Sequence, residues 1–472
     1  MLQLHDLPNE TLCRVIHYLD TEQDINALAQ TNRHFYSRTN ALLYYHNAIH
    51  QRISALLWAA DYGVLNTAEY AVHASQRASN RVDIFYQALS IAIQAGHTSI
   101  AKLLLSQEGV DPNIQYQDKE DESCITFLAR AAQVGHMDVI NLLLSTKMLD
   151  PNLGDDIGRP PIAYAGFSGQ DDVVKKLLST PGVDPNLKDL DGRTPLSWTV
   201  SYGSEVAVSH FLSQLDVDVN AAVTSGNIFR IGWTPLMLSV NRRATGMVKL
   251  LLQVPNIDAE HQSKYGNTAL HLAVSSRSEE LVQLLLEKGV IPDTMSRRFS
   301  SPLISAACSG NLSILRLLYE AGANPDAATR SGGDTPLIIA SDKGYTDMVR
   351  FLLETKKVNP AAQDKENKRN PLSLAAENGH REIVDMLLMQ DGHGNPDAKD
   401  YKGRTPLSYA VENGDLEIIK SVVAKSSAID LSAVDVDGGT LLSYAPERFR
   451  PEIKELLTAP NGVIQEAGVN CS

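Results

Sequence analysis

The sequence predicts an all-α solenoid of about twelve helix-helix-hairpin units, preceded by a short helical segment of different pattern. Three observations predict it. A Thr-Pro-Leu phrase returns at a nearly fixed period, with clear copies at Thr194-Pro195-Leu196, Thr234-Pro235-Leu236, Thr335-Pro336-Leu337 and Thr405-Pro406-Leu407. About sixteen residues after each start comes a leucine-rich stretch, and turn-forming segments such as Asp150-Pro151-Asn152 and Asp191-Gly192 separate one unit from the next. Self-similarity at this period is the signature of a stacked array, in which each unit buries its apolar face only against its neighbours.

Each unit opens with helix-start chemistry. A Thr or Ser side chain caps free amide groups, and proline suits the first helical position, where no N-H partner is needed. Weaker copies of the start fall at Ser54, Gln87, Thr126, Pro160, Thr268, Ser301, Asn370 and Thr440, so successive units lie 33 to 40 residues apart. Small residues then follow on the buried side, as at Ala273 and Val274 or Ala375 and Ala376, which lets neighbouring helices approach closely. The first helix stops at a glycine, at Gly96, Gly135, Gly203, Gly344, Gly379 and Gly414, where a left-handed helix end is expected. The second helix is amphipathic, and its leucine triplets at 103–105, 142–144, 250–252 and 284–286 form the heavier core layer.

These residues resemble the ankyrin family, whose Thr-Pro-Leu-His-x-Ala start, Gly-His pair, leucine-rich second helix and Asp-x-x-Gly turn recur piecemeal over residues 50 to 458. Thr268-Ala269-Leu270-His271-Leu272-Ala273 is the fullest single copy. The resemblance implies a protein-binding solenoid. Two departures predict distorted hairpins: Arg277-Ser278 stands in place of Gly-His, and Phe299 in place of a turn glycine. In the last unit Pro446, Arg448 and Arg450 predict a polar terminal cap, with the array ending near Leu457.

Residues 4 to 47 do not follow the repeat. Leu7-Pro8-Asn9-Glu10 opens a helix, with Leu12, Val15, Ile16 and Leu19 at helical spacing, and a second apolar series runs from Ile25 to Tyr44. Forty-odd residues form a marginal core, so apolar surface left on such helices is stabilised by docking onto a partner or onto the first repeat. The segment also resembles the F-box, through Leu7-Pro8-Asn9-Glu10, Ile16 and Leu19, Asp24-Ile25 and Arg33-His34-Phe35, with Phe35 in place of the more usual Trp. That resemblance implies that Leu7, Pro8, Ile16, Leu19, Leu28 and Leu42 grip a Skp-type adaptor of a cullin-RING ubiquitin ligase. The combination resembles F-box/ankyrin proteins frequent in filamentous fungi. The expected division is an F-box-like segment at 1–47, the solenoid at 48–458 and a flexible tail at 459–472.

Composition narrows the partners. A net charge of -14 opposes affinity for nucleic acid or anionic membrane that rests on overall charge. Residues 1–6 lack a signal-peptide pattern, so a cytoplasmic or nuclear location is expected. Cys13, Cys124, Cys308 and Cys471 are too widely spaced for a zinc site or a disulfide framework, and reduced thiols are expected. No phosphate loop or metal-binding motif stands out. Gly166-Phe167-Ser168-Gly169 misses the spacing of a nucleophile elbow, and Asp189-Leu190-Asp191-Gly192 and Asp435-Val436-Asp437-Gly438 lack the closing glutamate of a calcium loop. His97, His136 and His380 share one place in the repeat and read as hydrogen-bonding struts. No enzyme activity, cofactor or metal is expected, and the chain is expected to be monomeric by itself.

A client protein is expected on the face formed by hairpin tips and the exposed side of the first helices, where side chains are freed from packing. The register places Arg159, Phe167, Tyr202, Arg230, Ile231 and Trp233 there, then Arg242, Lys264, Tyr265, Arg297 and Arg298. Exposed aromatics and arginines are typical interface anchors. An extra segment around Ser225-Gly226-Asn227-Ile228-Phe229 lengthens one hairpin beside them, while Asp118-Lys119-Glu120-Asp121-Glu122 forms an acidic, solvated loop elsewhere. The function predicted is a substrate receptor that links this client to the ligase. The alternative is a scaffold or regulatory protein whose amino-terminal helices only cap the array.

Overall fold

Capping chemistry sets the helix starts. Thr126, Thr194, Ser301, Thr335 and Asn370 each accept, through the side chain, the backbone N-H three residues on, and Thr268 forms a reciprocal capping box with His271. The computed structural model of the chain describes residues 54–75, 81–117, 124–297, 301–389, 395–426 and 434–458. The amino-terminal segment with the six residues expected to contact an adaptor, the acidic loop, Arg298, Phe299 and the carboxyl tail lie outside them.

Among the described residues eleven helix pairs recur, from Ser54–Tyr62 with Leu65–Ser75 to Pro406–Asn413 with Leu416–Val423. A twelfth unit keeps only a 3-10 turn at Leu441–Ser443 before its second helix, Arg450–Thr458. The two strands, Gln115–Gln117 and Cys124–Thr126, pair antiparallel in one hairpin. The chain divides into two compact units, residues 1–238 and 239–472. In each, first helices pack on first helices and second on second, as Pro161–Phe167 does between Phe127–Val134 and Pro195–Tyr202. This is an all-α repeat solenoid.

Only the middle leucine of each triplet is fully buried: Leu104, Leu143, Leu251 and Leu285 have no exposed surface. Three consecutive helical residues sweep about 200° of arc at 3.6 residues per turn, so their neighbours turn outward toward adjacent repeats. Burying one such leucine per repeat contributes roughly 1.5–3 kcal/mol each.

Polar groups tie one repeat to the next. His97 Nε2 lies 3.0 Å from the Asp61 carbonyl, His136 Nε2 3.0 Å from that of Gln94, and His380 Nε2 3.2 Å from that of Asp342. Gln170 fills the same role toward Gln133 and Val134. On the opposite side of the unit Asn113, Asn152 and Asn186 each donate to one carbonyl and accept one N-H of the following repeat, at 2.6–2.8 Å.

Four expectations need correction. Gln87 caps nothing, because it lies inside the long helix Arg81–Ala95, in which residues 81–86 contain no Gly or Pro to stop the chain before it. Gly203 is not left-handed but extended, at φ -86 and ψ -159; glycine is needed there because a Cβ would lie 2.2 Å from the Gly166 carbonyl oxygen. Arg277 keeps its turn undistorted by adopting φ +56 itself, and Ser278 caps the next helix. Trp233, expected on the surface, is only 7% exposed. Val223 donates to its carbonyl at 3.0 Å, which closes the base of the enlarged hairpin and directs the indole into the core.

Gly96 joins both constraints of the hairpin, with φ +80 and the His136 ring 2.8 Å from where a Cβ would stand. Gly96→Ala is expected to destabilise the array by at least about 1–2 kcal/mol, read from urea unfolding followed by circular dichroism.

Candidate protein-binding surface

The surface is built on a buried aspartate in the hairpin. Asp155 accepts the backbone N-H of Ile157 and Arg159 on one oxygen and, on the other, Arg159 Nε at 2.6 Å and the Tyr164 hydroxyl at 2.8 Å. Asp189 repeats the arrangement with the N-H of Asp191 and Arg193 and the Trp198 indole N-H at 2.8 Å. Asp400 does so with Tyr409 at 2.6 Å, and Asp435 with Tyr444. The two apparent calcium-loop openings are therefore turn clamps. In each clamp the aromatic partner stands nine residues after the aspartate, which pins a first helix, or in the last unit the 3-10 turn at Leu441–Ser443, to its hairpin.

Burial governs the electrostatics of three of these clamps, whereas at Asp435 and Tyr444 their mutual hydrogen bond does. Burial pushes the Tyr164 and Tyr409 phenols above the ordinary tyrosine range, and the hydrogen bonds to Asp155 and Asp400 push the same way. Burial also raises the Asp189 carboxyl, against the opposing pull of the Arg193 and Asp191 N-H groups and the Trp198 indole. These groups hold geometry, and their lone pairs are already engaged.

In the unit spanning 1–238, the clamped aromatics continue outward as a ladder. Ring centroids are 4.9 Å apart for Tyr164 and Phe167, 5.8 Å for Phe167 and Trp198, and 5.8 Å for Trp198 and Tyr202, the last pair stacked. Arg159 lies over Tyr164, Phe167 and Trp198 at 5.0, 5.9 and 5.5 Å, and Arg193 over Trp198 at 4.6 Å. Tyr202 is 55% exposed. The lengthened hairpin stands beside this ladder. Asn227 caps a 3-10 turn at Ile228–Arg230, and Thr224 and Ser225 bond to Asp191 and Leu190 of the preceding tip. Leu190, Ile228 and Phe229 are exposed there, while Arg230 lies half-buried 5.8 Å from the Trp233 ring.

In the unit spanning 239–472, Arg242 is exposed at the end of Pro235–Arg242, its Nη1 3.8 Å from the Met247 sulfur. Tyr265 is half-buried in its hairpin, where its carbonyl accepts the N-H of the exposed Arg297 at 2.9 Å. The structure thus joins Tyr202 to an aromatic cluster, Arg230 to Trp233 and Tyr265 to Arg297. Sequence register missed Tyr164 and Trp198, and Arg193 went unremarked although it holds the same place in its repeat as Arg159. The signal available for the aromatics was the nine-residue interval from a hairpin aspartate, which recurs at 155/164, 189/198, 400/409 and 435/444.

A stack of helix pairs that displays hairpin tips and an aromatic face belongs to the class of repeat proteins that recognise other macromolecules. Models described as ankyrin repeats match at 116–189, 169–260, 216–298, 244–329, 303–400 and 355–435, more than half of the chain, and a single-repeat model matches 86–117. The chain belongs to the ankyrin-repeat family. An F-box-like model matches residues 4–50, so an F-box-like segment precedes the repeats.

Similar proteins include the mouse B-cell lymphoma 3 protein homolog, 33% identical over 141 residues that make up 29% of this chain and 31% of that protein. The Saccharomyces cerevisiae probable 26S proteasome regulatory subunit p28 is 32% identical over 124 residues, 26% of this chain and 54% of that one. The Arabidopsis thaliana E3 ubiquitin-protein ligase KEG is 30% identical over 125 residues, 26% and 8% respectively. The chain therefore spans about a third of the mouse protein's length. The human ASB11 ankyrin repeat domain aligns with 47% of this chain and 97% of its own, at a TM-score of 0.40 and 19% identity.

Tyr164→Phe removes one donor from the buried Asp155 carboxylate. It is expected to destabilise the first unit by about 1.5–3 kcal/mol, a difference that urea unfolding of the full chain would resolve.

Proposed function

We propose that this protein is a substrate receptor, in which the F-box-like segment at 1–47 engages a Skp-type adaptor and the repeats at 48–458 hold a client protein, with 459–472 as a tail. The observation that carries the client half of the reading is the aromatic ladder that runs from the buried Tyr164 through the half-buried Phe167 and Trp198 to the exposed Tyr202, with exposed apolar tips at Leu190, Ile228 and Phe229. Aromatic and arginine side chains so placed supply contact area at low conformational cost. Tyr202 and Arg230 in the first unit, with Trp233 supporting Arg230 from beneath, are proposed as client contacts. Arg242, Tyr265, Arg297 and Arg298 have the same proposed role in the second.

The adaptor half rests on the F-box-like match. Leu7, Pro8, Ile16, Leu19, Leu28 and Leu42 are its proposed contacts. Binding is the proposed activity, because the titratable groups of the hairpins are committed to holding turns. No helix among the described residues is long and apolar enough to cross a membrane, and none of their His, Cys, Asp and Glu side chains gather in threes as metal ligands.

The full chain is expected to co-purify with a Skp-type adaptor, and a Leu7→Ala, Pro8→Ala double variant to lose it while its circular dichroism stays unchanged. Adaptor binding that survives the double variant overturns the assigned contacts at Leu7 and Pro8, and binding that is absent from the intact chain favours instead a scaffold capped by its amino-terminal helices.

A further inference from the structure

The residue just before a helix start is arginine in four repeats: Arg159, Arg193, Arg369 and Arg404. Three of these guanidinium groups meet a carboxylate within their own repeat. Arg159 Nε lies 2.6 Å from Asp155, Arg369 Nη1 2.5 Å from Glu377 and Arg404 Nη1 3.1 Å from Glu412. Arg193 meets none among the described residues. It is only 8% exposed, its Nε has no hydrogen-bond partner, and its guanidinium sits over the Trp198 ring at 4.6 Å.

Two local substitutions account for this. Asp189, the counterpart of Asp155, spends its second oxygen on the Trp198 indole N-H, whereas in the neighbouring repeat Asp155 receives both a tyrosine hydroxyl and its arginine. Eight residues after the arginine, where Glu377 and Glu412 stand in the other repeats, this repeat has Ser201, whose hydroxyl donates to the Ser197 carbonyl. A buried cation with no counter-ion is costly, and one carboxylate from outside would complete the pattern that the other repeats complete internally.

We propose that Arg193 anchors a single aspartate or glutamate side chain of the client, within an extended segment whose apolar residues lie on the ladder on either side. This deepens the substrate-receptor reading and rests on it. The charge points to a carboxylate, because a single guanidinium with no carboxylate in contact is balanced by one monoanion and over-balanced by a dianionic phosphate. The surface points to an internal residue and not a chain end, since the Trp198 ring on which Arg193 sits is itself in ring contact with Phe167 and with Tyr202. Leu190 and Ile228 add exposed apolar tips in the same unit.

The test uses random peptides displayed on phage, panned against the full chain, with the winners resynthesised. Winning peptides are expected to carry an acidic residue between apolar ones, and its change to glutamine to weaken binding at least about tenfold, as for other buried charge pairs. Ser201→Glu, which supplies the carboxylate that Glu377 and Glu412 supply elsewhere, is expected to raise the thermal midpoint and to weaken the same peptides comparably. Arg193→Met is expected to weaken them without lowering the midpoint, and serves if the glutamate variant misfolds.

Winners without an acidic residue overturn the inference. So does tighter binding when phosphoserine replaces the acid, binding only through a free carboxyl terminus, or a carboxylate supplied by a second copy of the chain. Peptides that tolerate Ser201→Glu and Arg193→Met but are lost with Tyr202→Ala overturn it and leave the client surface standing. Peptides that tolerate all three overturn the surface as well.

Discussion

The hairpin carboxylate is the interaction on which the rest of the surface depends. A projecting two-turn loop of polar residues has little apolar area with which to hold itself, and its backbone N-H groups need partners. An aspartate at its root satisfies two of them and then reaches an aromatic residue on the helix that follows. Loop and helix become one rigid piece, as at Asp155 with Tyr164 and at Asp400 with Tyr409. The ladder is a by-product of that clamp. Once Tyr164 and Trp198 are held by their polar ends, their ring faces are fixed in place for Phe167, Tyr202 and the arginines to stack upon.

The same clamp explains why neighbouring repeats of like shape differ in chemistry. A tyrosine hydroxyl leaves room at Asp155 for Arg159, whereas the Trp198 indole N-H at Asp189 leaves Arg193 unsatisfied. A single aromatic exchange, with Ser201 in place of a glutamate, therefore turns a structural ion pair into a surface that wants a partner. Fold and recognition are written in the same few positions, and the repeat tolerates the change because its leucine layer lies elsewhere.

Much of the architecture was legible in the sequence because its causes are local. Caps at Thr194, Thr335 and Asn370, the leucine layer and the histidine struts all follow from chemistry within one repeat or between identical neighbours. Where reasoning by register failed, a contact outside the period decided the outcome. Gln87 sat at the right interval, yet the helix that holds it already starts at Arg81. Gly203 suggested a left-handed end, but the approach of the Gly166 carbonyl was its reason. Trp233 occupied an exposed register position, and the six-residue-longer interval preceding it, 40 against 34, closed the hairpin so as to bury the ring. The ladder itself was only half legible: Phe167 and Tyr202 fall on the outward positions, Arg193 holds the same place in its repeat as Arg159 but was not singled out, and Trp198 falls between the outward positions.

The asparagines at 113, 152 and 186 address only the backbone of the next repeat, one carbonyl and one N-H each, and ask nothing of its side chains. Such a junction is indifferent to which repeat follows. A whole unit can be copied or lost at that edge with the hydrogen bonds remade on either side, so the array's length and its recognition surface are free to change independently.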